Sequence, residues 1–138
     1  MKKSVLILCT GNSCRSQMAE GFLKHYGGDK FEVESAGSML SGVNPVAIRV
    51  MGEIGIDISH QRSKHLKEFL SRHFDYIITI CDRAYENCPI FPGPSQRFHW
   101  SFPDPPHGEE VTPDVLREFR RVRDLIQGRF KTFALEQS

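Results

Sequence analysis

Cys9 and Arg15 bound the run Cys9-Thr10-Gly11-Asn12-Ser13-Cys14-Arg15-Ser16, a Cys-x5-Arg spacing between an apolar stretch and an amphipathic one. A loop of this length that winds into a helix points successive backbone N–H groups at one spot, where they grip an anion. Thr10, Gly11, Asn12, Ser13 and Cys14 would supply those groups. Arg15 adds a planar fork matched to two oxygens of a tetrahedral oxyanion. Gly11 is expected to take backbone angles that other residues resist. A cysteine at the base of such a positive cradle is expected to be a thiolate, which makes Cys9 the candidate nucleophile. Ser16 is placed to donate a hydrogen bond to that thiolate. The competing reading is a buried structural cysteine beside a surface arginine, and the strand–loop–helix context favours the site. Cys14 reads as a small packed residue rather than a second nucleophile.

Breaking a bond to oxygen calls for a general acid. Asp104, in Phe102-Pro103-Asp104-Pro105, is the candidate, against the plainer reading of an Asp-Pro turn. A second thiol pair, Cys81 and Cys88, has Cys-x6-Cys spacing. The short Cys-x2-4-Cys knuckle of zinc sites is absent, and the six histidines form no ligand pair of recognised spacing, so no metal is expected. Two thiols on a loop that faces a thiolate nucleophile suggest a disulfide relay, and such a loop must move to bring its sulfurs within bonding distance.

The elements that must position these groups follow from periodicity. Ser4 to Leu8 is a short apolar run, and Ser16 to Tyr26 carries Met18, Ala19, Phe22 and Leu23 at helical spacing before Gly27-Gly28. Phe31 to Ser35 alternates as a strand does. Asn44-Pro45 caps a helix with Val46, Ala47, Val50, Met51 and Ile54 on one face, ended by Gly55. Ser63 to Leu70 predicts a short helix with Leu66, Phe69 and Leu70 inward. Tyr76 to Ile80 is a buried strand, a polar loop follows, and Phe98 to Phe102 is a further short strand. Pro103 to Gly108 reads as a loop. Thr112-Pro113 caps a last helix to about Phe133, with Val115, Leu116, Phe119, Val122, Leu125, Ile126, Phe130 and Phe133 as its stripe. Strands alternating with helices imply an α/β fold with a parallel sheet, whose ligands bind beyond the carboxyl ends of the strands. Cys9, Cys14 and Cys81 fall at such ends.

The 138 residues suit one compact domain, 1–138, with no repeat or linker to divide it. Lys plus Arg is 18 against 17 Asp plus Glu, so no global field would hold nucleic acid or an anionic membrane. The apolar run Val5 to Leu8 is too short for a signal peptide or a membrane span. A cytoplasmic, monomeric protein is expected, in a compartment where permanent disulfides are unfavourable.

The residues also carry a resemblance. Cys9 to Gly21, Ser35-Ala36-Gly37, Gly42-Val43-Asn44-Pro45, Ile56-Asp57-Ile58-Ser59, Cys81 to Pro89, His99-Trp100-Ser101-Phe102-Pro103-Asp104-Pro105 and Phe119 to Asp124 are similar to thioredoxin-coupled arsenate reductase, in order and spacing over nearly the whole chain. That family shares the fold of the low-molecular-weight protein tyrosine phosphatases, a three-layer domain with a four-stranded parallel sheet flanked by helices. The resemblance implies that Cys9 attacks arsenate held by the loop amides and Arg15, while Asp104 protonates a leaving oxygen. Cys81 then attacks Cys9 and arsenite leaves; Cys88 attacks Cys81, and thioredoxin reduces the Cys81–Cys88 disulfide. No cofactor is implied.

Departures from the family pattern carry expectations of their own. Asp82-Arg83 resembles the phosphatase branch at the same place. Some family members bind potassium through residues matching Asn12, Glu20 and Ser35 plus an acidic residue, and that last position is Lys64 here. An ammonium cannot ligate a cation and is expected to stand in its place, with weak or no potassium activation. Pro105-Pro106-His107-Gly108 lacks the paired tyrosines of the phosphatase branch. Two other readings stay open: a low-molecular-weight phosphatase whose distal thiols only protect Cys9, and a non-enzymatic oxyanion or redox sensor.

Overall fold

β1, Lys3–Cys9, lies at the centre of the protein because its side chains are apolar on both faces. A computed structural model describes residues 2–106 and 110–137, so His107 and Gly108 lie outside the described residues. Val5, Ile7 and Cys9 enter one hydrophobic cluster and Leu6 and Leu8 another, as a strand covered on both sides requires. Around it run β2 (Phe31–Gly37), β3 (Tyr76–Thr79) and β4 (Gln96–His99), in the order β2-β1-β3-β4 with every pairing parallel. The register sets Cys9 beside Gly37 and Thr79 beside His99, so all four carboxyl ends open on one edge.

Helix α1 (Arg15–Gly27), α2 (Pro45–Gly52) and α4 (Pro113–Glu136) cover the face of Val5 and Ile7. Asn44 caps α2 by accepting from Val46 N at 2.8 Å, and Thr112 caps α4 by accepting from Val115 N at 3.2 Å. Arg123 ties α4 to α2, donating to Val50 O at 2.9 Å and Glu53 at 3.1 Å. Phe69, Phe74 and Phe91 close the other face. Among the described residues, no helix is long and apolar enough to cross a membrane.

Four expectations change. The Ser63 to Leu70 segment holds only a 3-10 turn, Leu66–Phe69, and Leu70 is exposed. Its backbone is instead drawn into pairing, with Gly37 N donating to Lys64 O at 2.9 Å. The last strand is Gln96–His99 rather than Phe98 to Phe102. Beyond it the chain still follows β3, through Trp100 N to Thr79 O at 2.9 Å and Phe102 N to Ile80 O at 3.4 Å. The loop after β3 contains a short helix, α3 (Asp82–Glu86), which buries no residue and so has no apolar period to read. Leu125 and Ile54 are exposed, Leu125 just outside the α4 stripe and Ile54 past the end of α2.

Candidate active site

The turn from β1 into α1 is built by tying its carbonyls outward. Thr10 O accepts from Met39 N at 3.0 Å, Gly11 O from Ser41 N at 3.2 Å and Ser13 O from Asn44 N at 3.0 Å, while Asn12 O takes the Ser63 hydroxyl at 2.7 Å. In a trans peptide the N–H points opposite the carbonyl, so the N–H groups of residues 11–14 turn toward the inside of the loop. There they face a cavity of about 340 Å³ lined by Cys9, Thr10, Gly11, Ser13, Cys14 and Arg15, with Met39, Ser41 and Asp104 opposite. Met39 and Ser41, which no motif marks, form a wall because their backbone is bonded to the loop.

Asn12 is the exception among the predicted oxyanion binders. Its side chain is fully buried and turns away from the cavity, and among the described residues it is the non-glycine residue with positive φ, 48°. The left-handed position is therefore Asn12 and not Gly11, as expected from sequence. The conformation is held by a saturated amide: Nδ2 donates to Ser16 Oγ at 2.8 Å and Ser35 Oγ at 2.9 Å, and Oδ1 accepts from Lys64 N at 2.7 Å and Gln17 Nε2 at 3.0 Å. Ser16 is thus braced from behind, its oxygen occupied by Asn12. Gly37 passes under this turn, where a Cβ would stand 2.4 Å from Thr10 O, so only glycine fits.

Arg15 and Asp104 meet at the cavity mouth, Nε to Oδ1 at 3.5 Å, with Asp104 half exposed. Nη1 of Arg15 also donates to Phe102 O at 2.9 Å, so the strand extension beyond β4 sets both the fork and the carboxylate.

The proton on Cys9 answers to a second sulfur as well as to the cradle. The neighbouring Cys81 thiol and burial push Cys9 up, against the pull of Arg15 and the Thr10 N–H. Cys81 is pulled down to about 5, first by neighbouring Cys9 and then by the Thr10 hydroxyl, the Ala84 N–H and Arg15. The Thr10 hydroxyl lies 3.4 Å from the Cys81 sulfur. The two thiols are coupled, so that negative charge on one opposes ionisation of the other. Sequence reasoning could not find this, because it needs β1 and β3 to end side by side. Cys14 is buried and pushed up to about 12 by that burial and by Asp104, an inert thiol.

Beneath the loop, Glu20 is buried with Ser35, whose hydroxyl donates to Oε1 at 2.5 Å. Lys64, also buried, sets Nζ 3.2 Å from Glu20 Oε1 and 2.9 Å from Glu34 Oε1. The ammonium therefore joins the group of Asn12, Glu20 and Ser35. Exchanging sodium for potassium at constant ionic strength is expected to leave turnover unchanged; a rise would show that an ion still finds a place beside Lys64.

Cys88 lies apart from this group, half buried past α3, and α3 itself is pinned to β4. His99 meets Asp82 at 3.0 Å through Nε2 and the Thr79 hydroxyl at 2.9 Å through Nδ1, with its ring 4.5 Å from that of Tyr85. All four cysteines are free thiols. Among the described residues no group of three or more His, Cys, Asp or Glu is arranged to hold a metal.

A four-stranded parallel sheet whose first strand ends in a Cys-x5-Arg cradle, with an aspartate at its mouth, defines an oxyanion-transfer enzyme of the phosphatase type. The chain belongs to the low molecular weight phosphotyrosine protein phosphatase family, whose sequence profile matches residues 4–137, and within it to the arsenate reductases. The arsenate reductase of Halalkalibacterium halodurans is 50% identical over 133 residues, 96% of each chain. A solved arsenate reductase in the oxidized state superposes with a TM-score of 0.84 at 35% identity, covering 99% of both chains. The thioredoxin-dependent arsenate reductase of Corynebacterium glutamicum gives 0.69 at 31% identity, over 99% of this chain and 64% of that one.

Proposed function

We propose that this enzyme reduces arsenate to arsenite through Cys9, Cys81 and Cys88 and is recycled by thioredoxin. The observation that carries the reading is that β1 and β3 end side by side and set the Cys81 sulfur 3.4 Å from the hydroxyl of Thr10, the residue after Cys9. A phosphatase needs one sulfur at the cradle; a reductase needs a second in position to take the first one's place. Arsenate sits on the N–H groups of the loop and the Arg15 fork. Cys9 attacks arsenic as its proton passes to Cys81, and Asp104 protonates the oxygen that leaves as water. Cys81 sheds that proton, which Thr10, the Ala84 N–H and Arg15 make easy, and attacks Cys9. The electron pair of the sulfur–arsenic bond goes to arsenic, which departs as arsenite, leaving a Cys9–Cys81 disulfide.

Cys88 then attacks Cys81 and releases Cys9. α3 lies between the two cysteines, with the Cys81 sulfur against Thr10 and the Cys88 sulfur against Arg97, so joining them requires α3 to rearrange. No fully buried residue anchors it: Ala84 is only partly buried against the core, and Asp82 is held by His99 at 3.0 Å. That rearrangement carries the Cys81–Cys88 bridge outward to a dithiol donor. Thioredoxin fits that role because dithiol exchange resolves an intramolecular disulfide in one visit, and a related structure is named for it. The protein acts as a cytoplasmic monomer in this reading.

The test is to incubate reduced protein with arsenate alone and map disulfides by mass spectrometry after alkylation. Wild type is expected to yield one arsenite per chain and a Cys81–Cys88 bridge. Cys88→Ser is expected to stop at Cys9–Cys81 after a single turnover. Free thiols, no arsenite and hydrolysis of a phosphate ester would instead make the chain a phosphatase.

A further inference from the structure

Cys88 occupies a cleft of about 90 Å³ between α3 and β4, outside the cradle. Arg97, on β4, reaches into it. Nη1 donates to Cys88 Sγ at 3.2 Å and Nη2 to the Pro89 carbonyl oxygen at 3.2 Å. One guanidinium thus holds a sulfur and the backbone immediately beyond it in a fork, and its donors go to a thiol and a carbonyl rather than to a carboxylate. Arg97 belongs to a sheet strand, paired through Ile77, while the segment it grips is the one that must move. The contact is therefore a fixed post for a mobile tether.

We propose that Arg97 is a catalytic residue of the exit step: it parks Cys88 at the mouth of the relay and stabilises the thiolate that attacks the Cys9–Cys81 bridge. The proposal rests on the relay reading above. In the step itself the Cys88 proton goes to solvent and its sulfur attacks Cys81 Sγ. The Cys81–Cys88 bond forms as the Cys9–Cys81 bond breaks, and Cys9 leaves with the electron pair as a thiolate, so no net oxidation occurs. Burial pushes the Cys88 thiol up, and the charge and hydrogen bond of Arg97 pull it back. The other titratable groups around the sulfur are Tyr85 and Arg83 from α3 and His99 from β4. Of these and Arg97, Arg97 is the one that hydrogen-bonds the sulfur.

The experiment uses the full chain with Arg97→Gln and Arg97→Lys. Alkylation of Cys88 by iodoacetamide is followed against pH by peptide mass. Arg97→Gln is expected to move the Cys88 profile to higher pH and slow alkylation at neutral pH about three- to five-fold, as loss of a charged hydrogen bond at a half-exposed thiol implies. Arg97→Lys is expected to recover part of the shift. In a single turnover with arsenate, Arg97→Gln is expected to accumulate the Cys9–Cys81 disulfide that wild type passes on. An unchanged alkylation profile in Arg97→Gln overturns the proposal whatever arsenate does. A shifted profile with no recovery in Arg97→Lys overturns the role of charge. A wild type that forms no arsenite overturns the relay reading on its own, so the two failures are told apart.

Discussion

Cys81→Ser is expected to move two activities in opposite directions, abolishing arsenite release while raising the hydrolysis of an aryl phosphate. The first effect follows from electron count: with Cys81 gone, no sulfur stands at the floor of the cradle to displace arsenic from Cys9. Arsenite production should fall on the order of a thousandfold or more, as when a nucleophile is removed from an active site. The second effect follows from the coupling of the two thiols. In wild type neighbouring Cys81 is the largest influence pushing Cys9 up. Serine removes that thiol and offers a hydroxyl that can donate to a Cys9 thiolate. Arg15 and the Thr10 N–H then act unopposed except by burial, so Cys9 ionises at lower pH. Ester hydrolysis at neutral pH should rise about three- to ten-fold, with the acid limb of its pH profile displaced downward. Both assays can be run on one preparation. A fall in ester hydrolysis with no change in the acid limb would mean that Cys81 does not govern Cys9.

What could be read from sequence was whatever is local. Cys9, Arg15 and the turn between them lie within one strand–loop–helix unit, so spacing alone places them, and Asn44 and Thr112 cap their helices as their positions predict. α3 escaped because a helix with no fully buried residue leaves no apolar period. β4 was misplaced because Phe98 to Phe102 looks more like a strand than Gln96 and Arg97, whose exposure at a sheet edge needs no apolar residue. The left-handed turn residue was assigned to Gly11 on intrinsic preference, yet tertiary hydrogen bonds hold Asn12 there instead. Three contacts that decide the chemistry join residues far apart in the chain or drawn together by the sheet: Thr10 with Cys81, Lys64 with Glu20, and Arg97 with Cys88. None of them leaves a local pattern. Lys64 entered the sequence reading only through the resemblance, at a position where relatives place an acid, and its exact partners required the fold.

Lys64→Met should be the most damaging single change to stability outside the apolar core. Glu20 is 1% exposed and lies on α1 directly behind the cradle. It is balanced by Lys64 at 3.2 Å, by Lys24 at 2.6 Å and by the Ser35 hydroxyl. Removing one partner of a buried ion pair costs about 3–5 kcal/mol, and the low end applies because Lys24, which is partly exposed, remains. About 3 kcal/mol in a chain of this size lowers the melting temperature by roughly 10 °C. The damage should reach the cradle, because Ser35 and Lys64 N both brace Asn12 and Asn12 braces Ser16. Two further measurements separate charge from packing. If the ammonium serves as a built-in cation, potassium should recover part of the lost stability in Lys64→Met while leaving wild type unaffected, since only the variant has lost one of the two cations beside Glu20. Adding Glu20→Gln to Lys64→Met should likewise recover stability, because the charge that lost a partner is then gone and the two costs do not add. A double variant as unstable as the sum of its parts would place the cost in packing, and the ammonium would then be only a well-fitting side chain.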